Sequence, residues 1–219
     1  MFTSQAAADA PTRRNTRAAI LNAARRLYFA HGADGVSARR IAQAAGCSAT
    51  ALYLYYRSVG DLLEHLRIEG HGLLAARLRR VDAALPAVEQ IRAMGRAYFE
   101  FGVKQPQYYA LMFSLRPAET PGRAAVQREM HTLMLLRDAV RRGIDRREIR
   151  TDLDVMVLTN ALWAEIHGVT ALAVSRLLVE TAPGQQDDVL EAVLDAALRW
   201  LAPARRRVNT VKRRRGRRC

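Results

Sequence analysis

The stretch VSARRIAQAAGCSATALYLYYRS, residues 36–58, decides the fold. It reads as two short helices, Ala38–Ala45 and Ala49–Tyr55, with Ser37 and Ser48 as N-caps. Ala45-Gly46-Cys47 joins them, and Gly46 supplies the positive φ that so sharp a corner requires. Ile41 and Ala42 face inward from the first helix, Leu52 and Tyr56 from the second. Ala49, Thr50, Tyr53 and Tyr55 are then left on the outer face. The small residues at the front of the second helix let its N-terminus approach another surface closely. That is the geometry with which a helix-turn-helix enters a DNA major groove. Free N–H groups at the helix start and tyrosine hydroxyls suit phosphates, and tyrosine rings suit thymine methyls. An ordinary two-helix corner in a core has the same spacing. The surroundings separate the two readings, because Arg13, Arg14, Arg17, Arg39, Arg40 and Arg57 encircle this unit.

Outward from that corner, the charge pattern divides the chain. The 219 residues carry 35 Lys+Arg against 21 Asp+Glu, a net of +14. Residues 1–57 hold 8 Arg against Asp9 and Asp34, whereas residues 58–204 are near neutral. Residues 205–219 hold 9 basic and no acidic groups. A balance this basic points to an anionic partner. Residues 1–11 and the basic tail 204–219 are too polar or too short to build a core, and are expected to be disordered. The tail reads as a passive end, with added nonspecific DNA affinity as the alternative.

Helical periodicity runs through the rest, broken by Gly and Pro, and strand signals are nearly absent. The expectation is an all-α protein of about nine helices. The first helix runs from about Thr12 to His31, and Gly32 closes it. Ser58 and Asp61 form a capping box for a fourth helix reaching about Arg80. Later helices start at Pro86, Pro106, Arg123, Leu153 and about Gln186. A loop, RPAETPG, precedes the seventh. The domain reading is 12–62 for a helix-turn-helix head and 63–203 for a helical body.

Residues 17–63 resemble the DNA-binding domain of the tetracycline-repressor family. The match rests on Ile20-Leu21-Asn22-Ala23-Ala24, Leu27-Tyr28, Gly32, Ser37, Ile41-Ala42 and Ala45-Gly46. It continues through Ser48, Leu52-Tyr53, Tyr55-Tyr56, Ser58 and Leu62-Leu63. The resemblance implies that Arg39, Ser48, Thr50, Tyr53, Tyr55 and Ser58 lie at or near DNA. With Arg40, Ala49 and Arg57 these make up the expected DNA surface. The chain departs from the pattern at Val59, usually lysine, at Gly60, usually acidic, and at Arg40, which leaves Ser37 without a capping-box partner.

The body carries Trp163, His167 and Gly168, similar to the Trp-x-x-x-His-Gly signature of one C-terminal class in that family. Pro106, Tyr109, Met112 and Phe113 resemble a pattern of the same class. Trp163 and His167 share a helix face, and Gly168 lets another helix come close. Tyr98, Phe101, Tyr108, Tyr109, Met112, Phe113, Met130 and Met134 form an aromatic-methionine set. Methionine packs adaptably, which suits a pocket for apolar compounds. Phe101, Tyr108, Met112, Met134, Trp163 and His167 are the expected ligand contacts. A packed core fits these residues as well, with His167 satisfied by a backbone carbonyl.

Val155, Leu158, Leu162, Leu172, Val189, Val193, Ala196, Ala197 and Trp200 give the last two helices apolar stripes. The family resemblance implies a homodimer through a four-helix bundle there. The stripes could equally face their own subunit's core. No Walker A, GxSxG or GxGxxG motif occurs, so no enzyme, cofactor or resident metal is expected. His65, Glu69 and His71 fall in one region of the fourth helix, and His65 and Glu69 share a face at metal-compatible spacing, although a solvated helix pair is the plainer reading. Only Cys47 and Cys219 occur, the start lacks a signal-peptide pattern, and the richest apolar run, Asn160 to Leu178, holds Glu165, His167 and Arg176. A cytoplasmic protein with no membrane partner is expected. Its partners would be double-stranded operator DNA and a small-molecule effector, making it a ligand-responsive repressor. The alternatives are a nonspecific DNA-coating protein driven by the basic ends and a helical enzyme with a DNA-binding head.

Overall fold

The computed structural model describes residues 13–113, 123–179 and 184–203, with backbone alone at 14 and 123–130. The expectations for residues 1–11, the RPAETPG loop, the Met130 side chain and the basic tail lie outside the described residues. Described elements are all helical: α1 (Arg13–His31), α2 (Ala38–Ala45), α3 (Ala49–Tyr53), α4 (Val59–Leu78), α5 (Ala87–Lys104), α6 (Pro106–Phe113), α7 (Arg123–Asp145), α8 (Val155–Val174) and α9 (Gln185–Leu201), with a 3-10 turn at Ala33–Gly35.

The helix starts follow from side-chain caps. Ser37 Oγ accepts from the Arg40 N–H at 3.3 Å, Ser48 Oγ from Ala51 at 3.0 Å and Ser58 Oγ from Asp61 at 3.0 Å. The Ser37 cap forms without an acidic partner. The Asp61 carboxylate reaches one residue past the expected place and accepts from the Arg57 N–H at 3.0 Å. Gly46 ends α2 at φ 70°, a left-handed conformation that a Cβ would strain.

Two hydrophobic clusters divide the molecule. The first joins Ile20, Ala23 and Ala24 of α1 to Ile41, Leu52, Tyr56, Leu62 and Leu66. The second gathers the apolar faces of α5, α6, α7, α8 and α9 on Leu74 and Leu78. α4 therefore serves both, and crosses the predicted 62/63 boundary without a break. Arg92 and Arg96 of α5 clasp Glu191 and Asp195 of α9 on the outside.

Two expectations about α8 and α9 need correction. Val155, Leu158, Leu162 and Ala197 are buried in their own subunit, so only part of the stripes faces outward. Val157, Leu172, Val189 and Trp200 are the exposed large residues of these helices. Secondly, α8 has a mean hydropathy of 1.3 and is long and apolar enough to cross a bilayer by length and composition, although Asn160 and Glu165 are exposed on it. The Glu165 and His167 interruptions therefore do not take α8 below the apolarity of a spanning helix, a level that the core helix of a soluble protein also reaches. The cause is that α8 feeds the core on one side and carries an apolar outer face on the other. A third point concerns Gly168: among the described residues nothing lies within 4 Å of where its Cβ would stand, so none of them uses the close approach expected there.

Candidate functional site

Around the Gly46 corner, Arg39, Arg40, Ser48, Ala49, Thr50, Tyr53, Arg57 and Ser58 are all exposed. Tyr53 keeps 54 % of its surface in water. The inward set also holds, because Ile41, Ala42, Leu52 and Tyr56 are buried. Tyr55 departs from expectation. α3 ends at Tyr53, the chain turns through Leu54, and Tyr55 falls back half-buried against the head cluster. Leu54 takes the outer position instead, 79 % exposed. The front of α3 is held from behind: the Tyr56 hydroxyl donates to the Arg17 carbonyl at 3.3 Å. The Arg17 guanidinium lies 5.6 Å from the centre of that ring, and its Nη2 is 3.2 Å from His65 Nε2.

Head and body meet at a polar junction. Arg25 of α1 donates to both carboxylate oxygens of Glu69 on α4, at 2.8 and 2.7 Å. The Tyr108 hydroxyl of α6 donates to the same carboxylate at 2.9 Å. His65 and Glu69, spaced for a metal, are thus engaged by Arg17 and by Arg25 with Tyr108. Among the described residues no cluster of His, Cys, Asp and Glu suits a metal ion. Gly70 lets α4 and α6 close up here: a Cβ would stand 2.8 Å from Met112 Sδ.

A cavity of 390 Å³ lies inside the body, within the size range of small-molecule sites. Its wall is nearly all apolar, with Met94, Met112, Phe113, Leu162, Trp163 and Leu198 among the contributors. Of the six expected ligand contacts, Met112 and Trp163 line it. Phe101 is fully buried one turn beyond Tyr98, which is on the wall. Tyr108 serves the Glu69 junction. Met134 lies between wall residues Leu133 and Leu136 in sequence, on another face of α7.

His167 stands behind the wall. The hydroxyls of Tyr98 and Tyr109 lie 3.0 and 2.8 Å from its Nδ1, and Tyr109 also donates to the His167 carbonyl at 3.2 Å. Burial lowers the His167 pKa. Burial also pushes Tyr98 up to about 12, against the opposing hydrogen bonds of Trp163 and Tyr109. This is a closed network of partnered groups. Its members fix the aromatic wall: the Phe113 ring centre lies 4.7 Å from His167 and 4.9 Å from Tyr109.

Sequence reasoning named His71, in the fourth turn of α4, only beside His65 and Glu69, and missed its place on the cavity wall. His71 lines the cavity and is only 7 % exposed. Neither ring nitrogen has a hydrogen-bond partner among the described residues. Burial, with the Arg67 charge beside it, lowers its pKa to about 4, so the ring is neutral at pH 7. No local signal marks it: the same three-residue neighbourhood, Glu69 to His71, points one side chain to the head and another to the cavity.

Comparison with known proteins agrees with this division. Residues 20–66 match the model of bacterial regulatory proteins of the tetR family, and residues 91–197 match a tetracyclin repressor-like C-terminal domain. The second match is to that broad description and does not carry the Trp-His-Gly class. The HTH-type transcriptional repressor AcnR of Corynebacterium glutamicum is 29 % identical over 207 residues, taking in 88 % of this chain and 94 % of that protein. A solved structure from Rhodococcus sp. RHA1, of unknown function, is 28 % identical with a TM-score of 0.75, covering 85 % of this chain and 95 % of its own. A putative tetR family regulator from Shewanella sp. PV-4 shares the fold at 19 % identity, with a TM-score of 0.66 and coverages of 85 % and 98 %. An outward-facing α3 behind a Gly46 corner, a helical body and these two matched segments have one meaning: the chain belongs to the tetracycline-repressor family of transcriptional regulators, DNA-binding proteins rather than enzymes.

Proposed function

We propose that the chain is a homodimeric repressor that leaves a near-palindromic operator when a small molecule occupies the body cavity. The observation that carries this reading is α4. It starts at Ser58 beside the exposed α3 and runs unbroken to His71 and Leu78 on the cavity wall. A molecule that fits one setting of that wall better than another biases the setting of the head, which is a population shift. Glu69, held by Arg25 and Tyr108, ties the two ends together. The similarity to a named repressor over most of both chains supports the sign of the regulation.

Dimerisation is proposed through the outer faces of α8 and α9. Val157, Ala164, Gly168 and Leu172 recur along one helix, and Val189, Ala192, Ala196 and Trp200 along the other. A symmetric pair of such faces closes a four-helix bundle, and the small residues allow close approach. Arg39, Arg40, Ser48, Ala49, Thr50, Tyr53, Arg57 and Ser58 are the proposed DNA contacts, with Tyr55 as support from behind.

Selection from random duplexes tests the reading. It should enrich a near-palindrome whose half-sites lie about 34–36 Å apart, or a multiple of that. Tyr53→Ala should weaken binding to the enriched site by about 1–3 kcal/mol with the fold intact by circular dichroism. A protein that coats DNA through its basic ends would enrich nothing and bind random duplexes equally well.

A further inference from the structure

We infer that His71 is the polar anchor for an uncharged, mostly hydrocarbon effector carrying one hydroxyl group. The inference rests on the proposed ligand role of the cavity and names the chemistry it would accept.

Three observations converge on it. The wall is apolar almost throughout, so most of the occupant must be hydrocarbon or aromatic. The other polar side chains on the wall are already engaged: Tyr98 hydrogen-bonds His167 and Trp163, and Thr132 has a partner of its own. That leaves His71, buried on the wall with both ring nitrogens unbonded among the described residues. Buried polar atoms are nearly always paired, so an exception marks a place where something else completes the bonding.

The charge balance selects a neutral partner. No carboxylate, lysine or arginine among the described residues lines the cavity. The charges that act on His71, Arg67 one turn back along α4 and Glu64 two turns back, pair with each other at 2.8 and 2.6 Å. A carboxylate in the cavity would meet an apolar wall and a ring that resists protonation, and a cation would meet no anion. A neutral imidazole offers one N–H donor and one bare acceptor nitrogen. A hydroxyl is satisfied by either. Its position on α4, two residues beyond the Glu69 junction, makes this the wall residue through which an occupant reaches the head most directly.

Isothermal titration of the full chain at pH 7 with three probes of one skeleton tests this: 4-butylphenol, butylbenzene and 4-butylbenzoate. In the wild type the phenol should bind about tenfold tighter than the hydrocarbon, the worth of one buried hydrogen bond. The benzoate should bind more weakly than the phenol by a similar factor. In His71→Leu the phenol should lose its advantage while butylbenzene still binds, and the empty variant should melt above the wild type. His71→Asn, which keeps a hydrogen-bonding group, should recover part of the advantage, so a folding defect in one variant does not decide the matter. A phenol no tighter than butylbenzene, a preference that survives in His71→Leu, or a benzoate that binds best would each overturn the anchor and leave the cavity reading standing. If none of the probes binds the wild type, the cavity reading fails and the anchor with it.

Discussion

The two hydrophobic clusters of this chain are packed to different standards. In the head, Ile20, Ile41, Leu52, Leu62 and Leu66 are fully buried, and the one polar tip among them, the Tyr56 hydroxyl, bonds to Arg17. The body has more apolar and aromatic material, yet it encloses 390 Å³ and leaves a buried imidazole without a bond. Its own second histidine makes the contrast sharper: His167 has two tyrosine hydroxyls on one nitrogen, His71 none. Protein interiors normally pack as densely as organic crystals. A unit that must present a fixed surface keeps to that density, and one that receives guests gives it up locally.

Truncation should break or support this contrast most strongly. Leu52→Ala, in the closed head, should cost about 2–5 kcal/mol of unfolding free energy. Leu198→Ala, on the cavity wall, should cost distinctly less, because that side chain already faces open space on one side. Denaturant unfolding at one protein concentration compares them, and equal losses would remove the distinction.

Acid should act through the body. His71 titrates near 4 in the fold and near its ordinary 6.5 once unfolded. Between those values the unfolded chain binds more protons, so stability falls as the pH drops. Between pH 7 and pH 5 the loss from His71 should be about 2 kcal/mol. Arg67 opposes the protonated ring and Glu64 favours it, while His167, also lowered by burial, adds a loss of the same sign. Melting curves at both pH values should show a shallower dependence in His71→Leu than in the wild type.

The smallest effect belongs to the junction between the regions. The Arg25–Glu69 pair is about a third exposed on each side. A double-mutant cycle of Arg25→Met and Glu69→Gln should give a coupling of about 0.5–1 kcal/mol. A coupling near zero would mean that the ion pair adds nothing to the joint, which then rests on α4, on Leu111 of α6 in the head cluster and on the Phe29–Tyr108 ring contact.

Legibility in the sequence followed the range of the interactions. Ser37, Ser48, Ser58 and Gly46 act on backbone within four residues, so their roles could be read from spacing. The buried set of the head repeats at helical intervals and was equally open to reading. The cavity was not, because six helices distant in sequence build its wall. Periodicity marks Phe101 and Phe113 alike as apolar, and only the assembled bundle buries one and puts the other beside the void. Tyr55 is misplaced for a related reason: an ideal helix to Tyr55 runs two residues past Tyr53, where α3 ends and Leu54 begins the corner. α8 looked interrupted by Glu165 and His167, whereas Val157, Ala164 and Leu172 keep much of its outer side apolar as well as its buried side.

The placement of Glu69 on α4 also has a mechanical side. Eleven residues separate it from Ser58 and two from His71, spans of about 16 and 3 Å at helical rise. A rod pivoting at Glu69 then moves about five times as far at Ser58 as at His71, by the same rise. Gly60 lies in the first turn of the long arm and Gly70 within the short one, and no glycine interrupts the stretch between them. Under the proposed population shift, a sideways displacement of a few tenths of an ångström at the short end would be geared up to the scale at which two reading heads lose step with the groove.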